Sequence, residues 1–265
     1  MTGHGIGRAG LLSLVVAAAG CARGGFEPAL VLDATADQRG KDLTLPDRTA
    51  PDRTAPDRAL PSPPRFVQIA AGNQSVGPSL TQSLGASVTA GNLVIAAFDY
   101  QNGTGRNAMA AAVADSLDDT FALVGPHDGP SARRQYVAYA IARASGACTV
   151  TVTLTEDPGG YFELRLHEYA SVSQTAPFDV AASGAGTATG LDAAQTASFV
   201  TSEPNELVFG MVIDGTVSAG TGFTLRGDHY LDVTEELIAT TSGTYRVTAT
   251  PSGPWVATAA VFRGR

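Results

Sequence analysis

Lysine is all but missing: Lys41 is the only one in 265 residues, so arginine carries the positive charge. Charged residues make up 16% of the chain and the formal net charge is -8, against the ~25% charged residues of an average soluble domain. An acidic, lysine-poor chain is a poor match for a phosphate backbone, which argues against nucleic acid as a partner. The lone lysine lies outside any phosphate-cradling glycine loop. Two cysteines, Cys21 and Cys148, are too few for a disulfide-stapled scaffold or a four-thiolate zinc site. There is no Gly-x-Ser-x-Gly elbow and no His-Glu-x-x-His, since His167-Glu168 runs on into Tyr169-Ala170-Ser171. His127, His167 and His229 are too dispersed to read as a metal set by spacing. Helix-length amphipathic stripes are missing as well.

The one sustained apolar run before the C-terminal region is Leu11 to Ala19, preceded by Arg8 and followed by Gly20-Cys21. It is too short to span a bilayer, which takes ~20 apolar residues. It has the shape of a signal segment, and the small residues before Cys21 give that segment the pattern of a bacterial lipobox. The expectation is a signal over 1–20 with Cys21 lipidated; a plain secretory signal is the alternative. Ala18 stands where leucine is commonest in that pattern. Resemblance to Gram-negative lipoproteins implies outer-membrane placement, because Ala22 rather than aspartate follows the cysteine. The membrane is then a partner through the anchor.

Residues 21–65 read as a linker. Pro46-Asp47-Arg48-Thr49-Ala50 repeats as Pro51-Asp52-Arg53-Thr54-Ala55 and again as Pro56-Asp57-Arg58-Ala59, with Pro61, Pro63 and Pro64 behind it. A proline every fifth residue blocks helix and sheet alike. A semi-rigid stalk is expected, with residues 46–64 reaching at most roughly 60 Å at ~3.1 Å per residue. Residues 21–65 hold seven basic and seven acidic groups, whereas 66–265 hold nine arginines against eighteen carboxylates. All the net acidity sits in the second region.

That region, 66–265, reads as all-β. Short apolar or alternating runs recur between Gly, Pro, Asn, Asp and Ser clusters, the spacing of a sandwich or barrel. Strands are expected near 66–70, 81–88, 92–101, 108–115, 119–124, 135–143, 148–155, 161–170, 178–182, 195–200, 206–214, 222–226, 234–240, 243–250 and 255–263. The glycine-rich 184–190 reads as a turn. Ser145-Gly146-Ala147-Cys148-Thr149-Val150-Thr151-Val152-Thr153 is echoed by Ser242-Gly243-Thr244-Tyr245-Arg246-Val247-Thr248-Ala249-Thr250, and Asn92-Leu93-Val94 by Asn205-Glu206-Leu207-Val208. Duplication and shared hairpin chemistry both account for the echo, which favours one antiparallel sandwich over two domains.

The succession VTAGNLVIAAFDY (88–100), VADSLDDTFALVG (113–125), QYVAYAIA (135–142), CTVTVTL (148–154), LHEYASV (166–172) and ELVFGMVID (206–214) resembles a widespread group of bacterial extracellular domains, themselves similar to jelly-roll sandwiches of the concanavalin-A-like lectin and glucanase type. The resemblance implies a single jelly roll presented outside the cell for binding or adhesion. It carries over no catalytic residue.

Chemistry concentrates in Tyr161-Phe162-Glu163-Leu164-Arg165-Leu166-His167-Glu168-Tyr169. Alternation on a strand puts Tyr161, Glu163, Arg165, His167 and Tyr169 on one face. That face reads as a solvated charge ladder or as a sugar platform completed by Trp255. Glu168 falls on the apolar face, where a buried carboxylate needs partners, as a hydrogen-bond hub or a functional acid. Glucanase-like catalysis needs paired carboxylates on one cleft; here Arg165 interrupts the pattern. Asp115, Asp118 and Asp119 cluster at a turn, and calcium is the one cofactor the sequence offers a place for; the alternative is a solvated acidic turn, as for the looser pair Asp228 and Asp232. Cys148, in a β run, reads as a buried apolar residue. Three functions stay open: a displayed module binding a glycan or surface protein, a hydrolase of glucanase-like fold, and a non-catalytic structural protein.

Overall fold

The computed structural model describes residues 59–213 and 216–265. The expected signal segment, Cys21 and the repeats through Arg58 lie outside the described residues. The described chain is almost entirely β, and every strand pairing is antiparallel. Its first half runs β1 (Arg65–Ser75), β2 (Ser79–Ser83), β3 (Leu93–Asn102), β4 (Ala110–Asp115), β5 (Ala122–Asp128), β6 (Arg133–Ile141), β7 (Thr149–Leu154) and β8 (Gly159–Ala170). The second runs β9 (Phe178–Gly186), β10 (Ala194–Gln195), β11 (Phe199–Val200), β12 (Glu206–Ile213), β13 (Thr216–Ala219), β14 (Thr224–His229), β15 (Asp232–Ala239), β16 (Thr244–Tyr245), β17 (Thr248–Pro251) and β18 (Trp255–Phe262).

The halves repeat one another strand for strand. The first forms a five-stranded sheet in the order β1-β8-β3-β6-β5 and a cover of β2-β7-β4. The second forms β9-β18-β12-β15-β14 and a cover of β10-β17-β13, with β11-β16 as a small addition. Register repeats too. Leu93 faces Tyr169 and Ile141 in the first half, as Leu207 faces Phe262 and Ile238 in the second. A bulge follows Phe66 in β1 and Phe178 in β9. The echo in the sequence is therefore a structural repeat, extended by a further one: Phe121-x-Leu123-x-Gly125-x-His127 leads into the β5–β6 hairpin and Phe223-x-Leu225-x-Gly227-x-His229 into β14–β15.

The two five-stranded sheets pack face to face, so the layers number four. One core lies between the first sheet and its cover, around Phe98, Leu164 and Val152. A second lies between the large sheets, around Ile95, Tyr169, Phe209 and Phe262. A third lies under the second cover, around Val208, Val247 and Val261. Position in the stack dictates the side chains. β7, in a cover, alternates buried and half-buried residues, whereas β12 and β18, with both faces covered, are buried throughout. Such strands read as continuous apolar runs rather than alternating ones. The expected all-β sandwich is observed, with its layers doubled into two stacked sandwiches, because LVIAAFDY and WVATAAVF are buried on both faces.

Each expected strand overlaps an observed one; Thr216–Ala219 is additional. The expected strand 81–88 stops at Ser83, and Val88 contributes a single bridge to Gly146. Gly184 and Gly186 belong to a strand rather than a turn. A Cβ on Gly184 would lie 2.1 Å from the Gln195 carbonyl oxygen, so glycine there lets the cover approach, and one on Gly186 would lie 2.7 Å from the ring of Trp255 on the adjacent strand.

The chain enters the fold at one pole. The Ser62 carbonyl accepts from the Arg265 amide at 3.1 Å, and the Asn205 side chain donates to the Pro61 carbonyl at 2.8 Å. The Asn205 amide also reaches the Ala239 carbonyl, at the end of β15. β15 begins at the opposite pole, about 24 Å away at ~3.4 Å per residue, directly after the Tyr230-Leu231 hairpin.

Truncating Phe209, at the centre of the inter-sheet core, to alanine should cost about 3–5 kcal/mol. Because that core belongs to both halves, urea unfolding of Phe209→Ala should remain one transition at a lower midpoint; two separated transitions would show that the halves melt independently.

Candidate functional site

Alternation along β8 sends Tyr161, Glu163, Arg165 and His167 toward the second sheet, not toward solvent. Arg165 and His167 are wholly buried and Glu163 is 2% exposed. Neither a solvated ladder nor an open sugar platform fits this placement. Trp255 is not brought to the group: it lies in the outer core under the second cover, with its indole N–H donating to the Ala188 carbonyl at 3.0 Å. Tyr161 is half-buried with the Arg133 guanidinium 5.1 Å from its ring centre.

What the fold assembles instead is a sealed charge cluster. Asp99 sits directly across from Glu163 on β3. Arg165 donates from Nη1 to Asp99 Oδ1 at 3.0 Å. From Nη2 it donates to Glu163 Oε2 at 2.5 Å, Asp232 Oδ2 at 2.9 Å and the His229 carbonyl at 3.0 Å. Asp232 and His229 close the β14–β15 hairpin, so one guanidinium ties the first half to the second. Gly72 of β1 passes above: a Cβ there would lie 3.3 Å from both Arg165 Cγ and His229 Cβ. Asp99, Glu163 and Asp232 place carboxylate oxygens within 4.8 Å of one another. That spacing suits a cation, and Arg165 supplies one.

Electrostatics follow from the seal. Three carboxylates gathered round one buried guanidinium repel one another when all are ionised, and burial opposes that state. Burial, reinforced by the Asp232 charge, pushes Asp99 up to about 7. Burial, with the Asp99 and Asp232 charges, pushes Glu163 up to about 9. Burial works against the charge on Arg165, but its three carboxylates outweigh that and hold its pKa above the ordinary value. Burial and the charges of Arg165 and Arg226 drive His167 down to about 3, leaving it neutral.

Glu168 lies on the other face of β8, fully buried, and accepts from Gln68 Nε2 at 2.6 Å, Asn92 Nδ2 at 2.6 Å and the Thr89 amide at 3.0 Å. Three donors bind one carboxylate and tie β1 and the turn before β3 to β8. The aspartate turn does not gather as a calcium site. Among the described residues, the metal-like grouping is the buried trio, not Asp115, Asp118 and Asp119. Asp115 Oδ1 accepts the amides of Leu117 and Asp119 at 3.0 Å, and Asp119 Oδ1 accepts the Arg143 amide at 2.7 Å. These oxygens face inward to shape the turn. Asp228 is exposed while Asp232 is buried, so they form no pair. Cys148 is buried and its thiol is pushed up to about 12 by burial and by Asp115, which removes it as a nucleophile.

Sequence reasoning missed Asp99 and misread Asp232. Asp99 is the sole charge in Leu93–Asn102, a signal that an apolar strand carries a buried acid. Comparison with known proteins finds no matching family model, no matching curated protein and no matching solved structure.

Arg165→Met should destabilise the fold by about 3–5 kcal/mol, since it leaves buried carboxylates unpaired. Asp99, Glu163, Glu206 and Glu235 all have pKa values raised by burial, to about 7, 9, 7 and 8. The folded state therefore holds protons that the unfolded chain has released, and stability falls as pH rises through this range. The urea midpoint should be lower near about pH 9 than near about pH 6; an equal or higher midpoint at alkaline pH would count against the assignment.

Proposed function

We propose that the chain is a lipid-anchored envelope protein that displays its double sandwich on a proline-rich stalk for binding or adhesion. One observation carries the reading: residues 61 and 62 enter the fold beside Arg265 at one pole, and the β14–β15 hairpin lies at the other end of β15 from that entry. The signal-like segment, Cys21 and the proline repeat support the anchor. A carbohydrate or a protein on a neighbouring surface is the ligand class such a display serves.

The hydrolase reading is weaker. Its carboxylates would have to line a cleft that substrate and water reach, whereas Asp99, Glu163 and Asp232 are sealed around Arg165.

Two measurements test the proposal. Membrane fractionation should find the wild-type protein with the envelope and Cys21→Ser released to the soluble fraction; equal partition of both would refute the anchor. Fluorescent cells displaying the protein should bind glycan arrays or partner cells more than cells displaying the stalk alone; equal binding would refute the display role.

A further inference from the structure

The structural repeat supplies an internal control for the charge cluster. By register, Asp99, Glu163, Arg165 and His167 stand where the second half has Ile213, Val256, Thr258 and Ala260. Asp232 stands where the first half has Gln135: each faces the histidine of the preceding strand, His229 and His127. The cross-sheet contact is repeated too. Arg165 reaches Asp232, and Gln135 reaches Thr258, both within hydrogen-bond range and both buried. The equivalent hairpins are therefore held differently. The β5–β6 hairpin lies against Val256, so closely that Gly129 has no room for a Cβ. The β14–β15 hairpin is held at His229 and Asp232 by Arg165. One repeat needs no charge at this place, so the fold itself does not demand the cluster.

Both turns place two consecutive non-glycine residues at positive φ, Ser131 and Ala132 in the first half and Tyr230 and Leu231 in the second, and the charged version holds the bulkier pair. Tyr230 and Leu231 have φ of 55° and 70°, both left-handed, as a two-residue hairpin of this type requires. Asn-Gly is the usual choice there, and bulky residues at positive φ are outliers that the surroundings must hold in place. Both side chains are exposed, by 54% and 65%. A rigid support beneath them is what keeps the tip in this form.

We propose that the cluster is a proton-controlled latch: with a shared proton in place it pins the Tyr230-Leu231 hairpin to the first half, and loss of that proton on the alkaline side frees the hairpin. The groups facing one another are Asp99 from β3, Tyr161, Glu163, Arg165 and His167 from β8, Arg133 and Gln135 from β6, Arg226 and His229 from β14 and Asp232 from β15, with Gly72 of β1 passing above. Arg165 is the cation the three acids share, and Arg133 lies at the Tyr161 edge. When the acids lose their shared proton, negative charges packed this closely repel. The relief that moves least is for Asp232 to swing out with its hairpin and admit water. Tyr161 stays neutral, since burial raises its pKa. The raised values for Asp99 and Glu163 put the change between neutral and alkaline pH. The latch stands whether or not the display reading holds.

The test uses the whole protein and hydrogen exchange at the amides of residues 230–232, corrected for intrinsic rate. Protection should drop by about tenfold or more between about pH 6 and about pH 10 while the β12 amides stay protected, the pattern of a local opening. The second arm exchanges the cluster for its repeat counterparts, as Asp99→Ile, Glu163→Val, Arg165→Thr and Asp232→Gln together. This variant should fold and lose the pH step. A flat wild-type profile, or the same step in the variant, would overturn the latch. If the fourfold variant does not fold, Asp99→Asn decides: with the Asp99 charge no longer holding up Glu163, the step should move to lower pH, and an unmoved step refutes the proposal.

Discussion

A guanidinium with no access to water must be neutralised where it stands, and Arg165 is neutralised by carboxylates from three strands. Asp99 and Glu163 come from its own sheet; Asp232 comes from the sheet stacked upon it. The geometry of that stack is constrained accordingly. The sheets cannot slide without breaking the reach from Nη2 to Asp232 and to the His229 carbonyl, whereas the apolar contacts around Phe209 and Phe262 tolerate small shifts. Apolar burial supplies the bulk of the cohesion between the sheets. The cluster supplies register, the role for which buried polar groups are best attested.

The repeat explains how a chain of this composition folds with so few charges. Two sandwiches placed back to back have two sheets with no solvent face, so much of the sequence is small and apolar. Alanine and glycine at Ala96, Ala97, Gly210, Ala257, Ala259 and Ala260 thin the central layers and let the sheets approach. The charge left over goes to turns, to edges such as the Arg134–Asp128 pair, to the Arg165 cluster, and to separate buried acids such as Glu168, Glu206 and Glu235.

The strands were legible because their signals are local: apolar runs bounded by Gly, Asn and Ser turns mark where each begins and ends. The stacking was not, although β3 and β18 advertised it by lacking the polar alternation of a half-exposed strand. Reading Glu163, Arg165 and His167 as solvent-facing followed from their charge; what put them inside was the second sheet, some seventy residues on, with Asp232 waiting at the matching height. Glu168 was legible because it broke an apolar pattern. Asp99 broke one just as clearly inside LVIAAFDY. The aspartates near 115 do not converge as a calcium set because Asp115 Oδ1 and Asp119 Oδ1 bind backbone amides while Asp118 is exposed, which spacing alone does not disclose.

The central claim is that Arg165 and Asp232 bind the two halves as a coupled pair. A double-mutant cycle with Arg165→Thr, Asp232→Gln and the two together, read by urea unfolding near neutral pH, measures that coupling directly. A coupling energy of about 1.5 kcal/mol or more is expected for a close, desolvated charge pair. Effects that add to within about 0.5 kcal/mol would mean that the two residues act independently, and the account of a charge cluster joining the halves would be wrong.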